Sequence, residues 1–305
     1  MKKYISGFSK LTKEEKIKWI TESFFSSPSK AKENLINYWN TNPNIQEIHD
    51  EFIENTLSNF YMPFGVAPNF IIDGENYSLP MAIEESSVVA AASKSAKYWS
   101  RRGGFHTKII SFEKTGHIHF LYDGKKNDIQ KFFDDQKKEL IESCNDISLK
   151  MKKRGGGILS MNLIDKSLSL KNYFQISICF NTIDAMGANF INSCLEKIAE
   201  TLENQFFKSD LSEKSQLNVI MSIMSNYVPN CLVKSWVSCP VEDLNENEGI
   251  NGKEFAKKFI TAIDISKVDT YRAVTNNKGI MNGIDSVVLS TGNDFRAVES
   301  SIHAY

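Results

Sequence analysis

The stretch KIISFEKTGHIHFLY, residues 108–122, opens the part of the sequence that decides the fold. Its apolar and polar residues alternate, which predicts a β-hairpin. Five further elements follow, namely an amphipathic helix at 127–144, two strands within 157–180, a second helix at 185–206 and a last strand at 217–225. The order strand, helix, strand, strand, helix, strand is the split βαβ pattern of ferredoxin-like domains. The sequence therefore predicts a ferredoxin-like α/β domain over residues 109–224.

The segments before residue 108 combine helices with short strands. Thr12 and Glu15 form a capping-box pattern, which predicts a helix of a few turns directly after Thr12. Apolar residues at near-helical spacing predict a second helix over residues 45–60. From Pro63 to Pro80, turn residues alternate with short apolar runs, which predicts strands joined by the turn DGEN.

An alanine-rich helix is predicted in the stretch ESSVVAAASKSAKYWSRRGGF, capped by Ser86 or Ser87 and ended by Gly103 and Gly104. So many small residues favour close packing, so we expect a central, buried helix. The predicted fold class is α+β. Residues 1–108 and 225–305 are predicted to form a discontinuous, mainly helical large domain, with the ferredoxin-like domain inserted between them, as surface loops tolerate.

The composition is that of a globular protein, and its charge balance does not suggest binding to a polyanion. The 305 residues carry 36 Lys and Arg against 37 Asp and Glu, so nucleic acid is not a favoured partner. The five cysteines are odd in number and lack CxxC spacing, which argues against disulfides or a zinc site and predicts reduced thiols in a cytoplasmic protein. No segment approaches the ~18 consecutive apolar residues of a membrane span, and no metal site is expected.

Two acidic residues, Glu84 and Glu85, stand between an apolar strand and the alanine-rich helix. A carboxylate desolvated in such a place has a raised pKa, which suits it to donate a proton near neutral pH. The alternative is that both residues are ordinary acidic residues at a helix N-terminus, where the dipole favours them.

Two glycine-containing stretches are candidates for holding phosphate: KRGGGILS at 153–160 and DAMGANFIN at 184–192. Glycines beside a helix start let backbone amides approach an anion. Neither stretch is a GxGxxG fingerprint, so a Rossmann domain is not predicted. Taken alone, each stretch is more often a turn followed by a capped helix than a phosphate site.

The richest stretch is TYRAVTNNKGIMNGIDSVVLSTGNDFRAVE, residues 270–299. If a helix begins near Lys278, then Lys278 and Asn282 share one face, and two glycines on the adjacent face pack on a neighbouring backbone. Asp294 opens the next helix. A lysine and a carboxylate brought together from two helix starts hold an ammonium ready to stabilise an oxyanion. The alternative is a structural ion pair.

Taken together, the motifs EES, RGGG, DAMGAN, NKGIMNG and TGND occur in the order seen in 3-hydroxy-3-methylglutaryl-coenzyme A reductases, and the whole chain resembles the bacterial class II branch of that family. The resemblance implies reduction of 3-hydroxy-3-methylglutaryl-CoA to mevalonate and CoA by two hydride transfers, or the reverse oxidation. It implies that Glu85 donates a proton, that Lys278 stabilises the oxyanion and that Asp294 is bonded to both.

The resemblance also implies the binding residues. Ser87, Arg272 and Asn282 match positions that hold the hydroxymethylglutaryl group. The cofactor-binding positions fall in the DAMGAN segment, at Asp184, Met186, Gly187 and Asn189. Because Lys152, Lys153 and Arg154 are basic, NADPH is the expected cofactor, with NADH as the alternative.

The family further implies a homodimer or larger oligomer, through the stretch ENTLSNF at 54–60. Family enzymes use a histidine to protonate the departing CoA thiolate, and none of the five histidines here lies in a matching segment. His303 is read as structural. The chain is therefore expected to lack a C-terminal segment. The alternative function is a truncated, catalytically impaired fragment that binds CoA or dinucleotide and dimerises.

Overall fold

The computed structural model describes residues 4–244 and 251–304. The chain forms two compact units, which we describe separately. The first runs to Gly65 and includes Ala82–Glu84, and the second comprises Val66–Met81 and the chain from Glu85 onward.

The first unit contains three helices, α1 (Lys13–Phe24), α2 (Pro28–Asn37) and α3 (Pro43–Asp50). The predicted capping box is confirmed, since the Thr12 hydroxyl accepts a bond from the Glu15 amide and the Glu15 carboxylate accepts one from the Thr12 amide.

The predicted helix over residues 45–60 is wrong beyond Asp50, where α3 ends. The Thr56 hydroxyl donates to the backbone oxygens of Asp50 and Ile53, and Asn55 adopts a left-handed conformation at φ 59°. These local bonds compete with helical ones, and a left-handed residue cannot continue a right-handed helix.

A hairpin of β1 (Phe64–Ile72) and β2 (Glu75–Ala82) confirms the strands predicted around DGEN. Asp73 and Gly74 occupy the turn with φ of 50° and 89°. Two successive positive φ angles define the type I′ turn, whose twist matches that of the paired strands.

The alanine-rich segment forms α4 (Ser86–Ser100), which ends as predicted just before Gly103 and Gly104. The expectation that α4 is buried is wrong for the chain described here, since its buried residues are Val88 and Ala96. Small side chains allow another element to pack closely on the helix, but they do not by themselves provide that element.

Residues 108–122 do not form a hairpin, because they belong to one long strand, β3 (His106–Tyr122). Gly116 is not a turn residue. A Cβ there would lie 2.6 Å from Leu195 Cδ1, so the glycine serves close packing within the strand. The first half of β3 pairs with β7 (Cys231–Trp236), a strand that the sequence patterns do not predict.

The other predicted elements of this region are confirmed in type and order. They are α5 (Lys126–Glu142), β4 (Gly157–Asp165), β5 (Tyr173–Asn181), α7 (Ala188–Phe207) and β6 (Leu217–Met224), with an additional helix α6 (Asn145–Lys153) after α5. The second half of β3 joins an antiparallel sheet in the order β4-β5-β3-β6.

The main hydrophobic core lies on one face of this sheet. Every second residue of β5 and of the second half of β3 points into it, including the fully buried Ile118, Ile176 and Ile178. Helix α7 covers these side chains with Ile191 and Leu195. Apolar residues recur with a period of two in the strands and with the helical period in α7, and together they form one buried layer.

Three helices complete the second unit, α8 (Gly252–Val268), α9 (Thr270–Ser290) and α10 (Phe295–Ala304). Helix α9 does not begin near Lys278 as predicted. It begins at Thr270, because the Asp269 carboxylate caps it by accepting bonds from the amides of Tyr271 and Arg272. Within the described residues, no helix is long and apolar enough to cross a bilayer.

Candidate active site

The first candidate cluster lies where the start of α4 meets the middle of α9. Glu85 is the residue before the first turn of α4, and Lys278 lies in the middle of α9, which packs on α4. The Glu85 Oε2 atom is 3.5 Å from Lys278 Nζ, and Glu85 Oε1 accepts a 2.6 Å bond from the Ser87 hydroxyl. A carboxylate, an ammonium and a hydroxyl are thus held together.

The electrostatics of Glu85 differ from the expectation. Its pKa is lowered, first by the hydrogen bond from Ser87 and then by the charge of Lys278. The predicted desolvation is small in this chain, since the side chains of Glu85 and Lys278 are 48% and 66% exposed. Glu85 is therefore a carboxylate near neutral pH.

Asp294 occupies its predicted place before α10 but makes different contacts. Its carboxylate accepts a 3.1 Å bond from the Ala297 amide and lies 3.6 Å from Arg296 Nε. In the described part of the chain, no hydrogen bond or ion pair joins Asp294 to Glu85 or Lys278. The predicted triad is thus present as a pair, with the third carboxylate turned toward the first turn of its own helix.

The remaining substrate-binding candidates lie on α9. Asn282 follows Lys278 by one turn, and Arg272 is exposed in the first turn of the helix. The predicted packing of the two glycines is wrong within the described residues, because a Cβ at Gly279 or Gly283 would meet no atom within 4 Å. Among the described residues, that glycine face therefore has no packing partner.

The second candidate cluster surrounds the start of α7 and brings the two glycine-containing stretches together. Arg154, from RGGG, lies 2.8 Å from the Asp184 carboxylate of DAMGAN. Gly187 adopts a left-handed conformation with φ 80° immediately before α7, and Asn189 lies in the first turn. Met186 is partly exposed beside them.

Lys114 is a member of this second cluster that the sequence motifs do not reveal. Its ammonium donates to the Thr182 hydroxyl at 2.8 Å, to the Met186 carbonyl at 3.0 Å and to the Ala185 carbonyl. The sequence does contain one sign of this role. Lys114 falls in the same alternating row of β3 as the buried Ile118. A lysine in an apolar row needs polar partners.

The arrangement of this cluster suits an anionic ligand. The N-terminus of the 20-residue helix α7 has no side-chain cap, so its first amides can bond to an anion, and the Arg154 guanidinium pairs with Asp184 in the segment before the helix. Among the residues that the structure describes, no three His, Cys, Asp or Glu side chains are grouped as metal ligands. The two clusters share no hydrogen bond or ion pair over the described ranges.

Comparisons with known proteins show the family of the chain. The family described as Hydroxymethylglutaryl-coenzyme A reductase matches residues 12–305. The 3-hydroxy-3-methylglutaryl-coenzyme A reductase of Archaeoglobus fulgidus is 32% identical over 305 residues, which cover 100% of this chain and 65% of the relative. The probable 3-hydroxy-3-methylglutaryl-coenzyme A reductase of Borreliella burgdorferi is also 32% identical, with 99% and 66% covered. The chain thus spans slightly less than two thirds of these relatives.

Solved structures give the same result. The 3-hydroxy-3-methylglutaryl-coenzyme A reductase of Streptococcus pneumoniae superposes with a TM-score of 0.74 at 31% identity, covering 98% of this chain and 78% of that one. A structure of the class II enzyme from the same organism, bound to NADPH in open conformations, gives 0.73 at 30% identity, covering 97% and 77%. The chain therefore belongs to the hydroxymethylglutaryl-coenzyme A reductase family, in the class II branch that its motifs predict.

Proposed function

We propose that the chain reduces 3-hydroxy-3-methylglutaryl-CoA to mevalonate and CoA in two hydride transfers, or catalyses the reverse oxidation. Family membership supports the reaction class. The observation that carries the proposal is the cluster of Glu85, Ser87 and Lys278, which joins residues distant in sequence at the start of one helix and the middle of another. NADPH supplies the hydrides when it is bound, and NADH is the alternative.

Lys278 stabilises negative charge on the acyl oxygen. Hydride addition to the thioester carbonyl creates an oxyanion, and an ammonium aimed at that oxygen stabilises it by several kcal/mol when water is excluded. In the structure the ammonium lies 3.5 Å from a carboxylate oxygen of Glu85. Substrate binding then places the carbonyl oxygen beside Lys278 and excludes water.

Glu85 donates the proton that the alcohol product requires. It is a carboxylate in the exposed site because Ser87 and Lys278 lower its pKa. Burial by the substrate disfavours the charged form and raises that pKa, so the carboxyl group takes up a proton as the site closes. Asp294 joins the pair in the closed site and leaves its bond to the Ala297 amide.

The substrate is held by side chains beside this cluster. Ser87 and Asn282 offer a hydroxyl and an amide to the hydroxymethylglutaryl group, and Arg272 offers a guanidinium to its carboxylate. Guanidinium and carboxylate form paired, charge-assisted hydrogen bonds. The site is completed in a homodimer, which is consistent with the exposure of Glu85 and Lys278 in a single chain.

The cofactor binds at the start of α7, through Asp184, Met186, Gly187 and Asn189. The positive end of the helix and the Arg154 guanidinium suit the phosphates, and the 2′-phosphate of NADPH favours the basic end of α6. Residues 109–224 act as the inserted cofactor-binding domain, and residues 1–108 and 225–305 as the two parts of the large domain. The order of elements from β3 to β6 supports this division.

The test is turnover by the purified chain supplied with 3-hydroxy-3-methylglutaryl-CoA and NADPH, followed by cofactor absorbance. Lys278→Ala should lower kcat by roughly 10²-fold or more, since a main oxyanion stabiliser is removed. Lys258→Ala is the matched control, because Lys258 is an exposed lysine of α8 paired with Glu254. It should retain full activity.

Two outcomes would contradict the proposal. Equal turnover by the Lys278→Ala and Lys258→Ala variants would show that Lys278 does not stabilise the oxyanion. Binding of NADPH and CoA by calorimetry without any turnover would favour the alternative of a binding subunit that does not catalyse the reaction.

A further inference from the structure

Lys114 occupies an unusual position for a lysine. It lies opposite Phe180 in the sheet and in the row of β3 that leads into the core, so its side chain is partly buried. Its ammonium makes no ion pair over the described residues. It bonds instead to three neutral oxygens, of Thr182, Ala185 and Met186, all within the loop that leads into α7.

The Lys114 ammonium makes as many hydrogen bonds as it has N–H protons. A lysine ammonium has three N–H donors, whereas the neutral amine has two. All three donors are therefore used on one short loop. Two of the acceptors are consecutive carbonyls that directly precede Gly187, so the ammonium fixes the direction in which the chain enters the helix.

The loop itself is held in an unfavourable conformation. Ile183 has a φ of 57°, which a β-branched residue rarely adopts, and its amide is bonded to the Asn181 side chain at 2.8 Å. Such a conformation persists only where surrounding bonds determine it. Lys114 supplies several of those bonds from a rigid strand.

We propose that Lys114 is a positioning residue for dinucleotide binding, which holds the loop before Gly187 so that Asp184 and the first amides of α7 face the ligand. This inference rests on the proposed function, in which that segment receives the cofactor. Lys114 does not touch the ligand and acts through the loop.

If Lys114 acts through its charge, dinucleotide affinity should depend on pH in a way that a purely structural role would not produce. Burial lowers the pKa of Lys114, and among the described residues the charge of Cys231 on β7 acts in the opposite direction. As the pH rises through that lowered value, the ammonium becomes an amine and one of the three bonds is lost. Dinucleotide affinity should therefore fall at pH values below the usual range of lysine, and Lys114→Arg should abolish this dependence because arginine stays charged.

The experiment is titration of the chain with NADPH, followed by nucleotide fluorescence. Lys114→Met should raise the Kd by about tenfold or more, the typical effect of losing hydrogen bonds from a charged group. Lys114→Arg should recover much of the affinity. Lys108→Met, which changes an exposed lysine of the same strand, is the control and should bind as the wild type does.

A second measurement does not depend on the ligand. Amide hydrogen exchange across residues 183–190 should be faster in Lys114→Met than in the wild type and unchanged in Lys108→Met. Thr182→Val removes one acceptor at nearly constant volume and should accelerate exchange of the same amides. It replaces Lys114→Met as the test variant if Lys114→Met does not fold. Unchanged exchange and unchanged Kd in these variants would overturn the inference. A wild-type chain that binds no NADPH would overturn the proposed function instead, while the exchange data would still decide whether Lys114 holds the loop.

Discussion

Substituting alanine for Gly187 tests how tightly the loop before α7 is built. Gly187 has φ 80°, and a Cβ at this position would lie 2.4 Å from Thr182 Cγ2. Thr182 is fully buried and cannot move into solvent. A left-handed alanine costs roughly 1–2 kcal/mol and overpacking a further ~1–3 kcal/mol, so Gly187→Ala should lower the free energy of unfolding by about 2–5 kcal/mol.

Two further variants separate these contributions. Gly155→Ala changes a glycine with φ 90° that has no atom within 4 Å of an added Cβ, so it should cost only the conformational part, roughly 1–2 kcal/mol. Thr182→Ser removes the methyl group that the new Cβ meets, so adding it to Gly187→Ala should restore part of the overpacking loss. The measurement is urea unfolding followed by circular dichroism, with equal m-values as the check. If Gly187→Ala costs no more than Gly155→Ala, steric crowding by Thr182 is not the reason for the glycine.

Three other predictions concern ionisation and packing. Ser87→Ala should raise the pKa of Glu85 toward its ordinary value, because the largest cause of the lowering is removed, and an NMR titration of the carboxyl group measures this. Asp285 has a buried carboxylate oxygen without a partner among the described residues, and burial raises its pKa. A raised pKa means that the folded state disfavours the charge, so the wild type loses stability as pH rises above the unfolded value of 3.8. Asp285→Asn should therefore gain stability relative to the wild type at pH 7 and lose that advantage in acid; an equal difference at both pH values would contradict this. Ile178→Ala should cost about 2–5 kcal/mol because the side chain is fully buried in the core, whereas Leu168→Ala, at a fully exposed site, should leave the urea midpoint unchanged.

The sequence is informative about the fold where the pattern is local. The amphipathic helices α5 and α7 and the strands β4 to β6 follow from periodicity, and the Asp73–Gly74 turn follows from the need for two positive φ angles. The hairpin predicted over residues 108–122 is wrong because alternation does not distinguish one long strand from two short ones. What extends β3 is its pairing with β7, which lies far along the chain.

The sequence is informative about the candidate site in a different way. Motif resemblance led to Glu85 and Lys278, which the structure places 3.5 Å apart, while their catalytic roles stay predictions. It did not lead to the lowered pKa of Glu85, which depends on the Ser87 rotamer and on solvent exposure. Nor did it lead to Lys114, since its three acceptors come from a loop about 70 residues away, and the rule that buried polar groups need partners does not name those partners.

The pairing of the long strand β3 also determines when the sheet can be completed during protein synthesis. Ile118 pairs with Ile176 and Ser222, so neighbours for the two edges of β3 leave the ribosome roughly 60 and 100 residues later, and contacts of this separation form slowly. Until then, a nascent chain carries an apolar strand with both edges open. Chaperone capture during translation should therefore be strongest between the emergence of β3 and that of β6, and ribosome pausing in this window should favour aggregation.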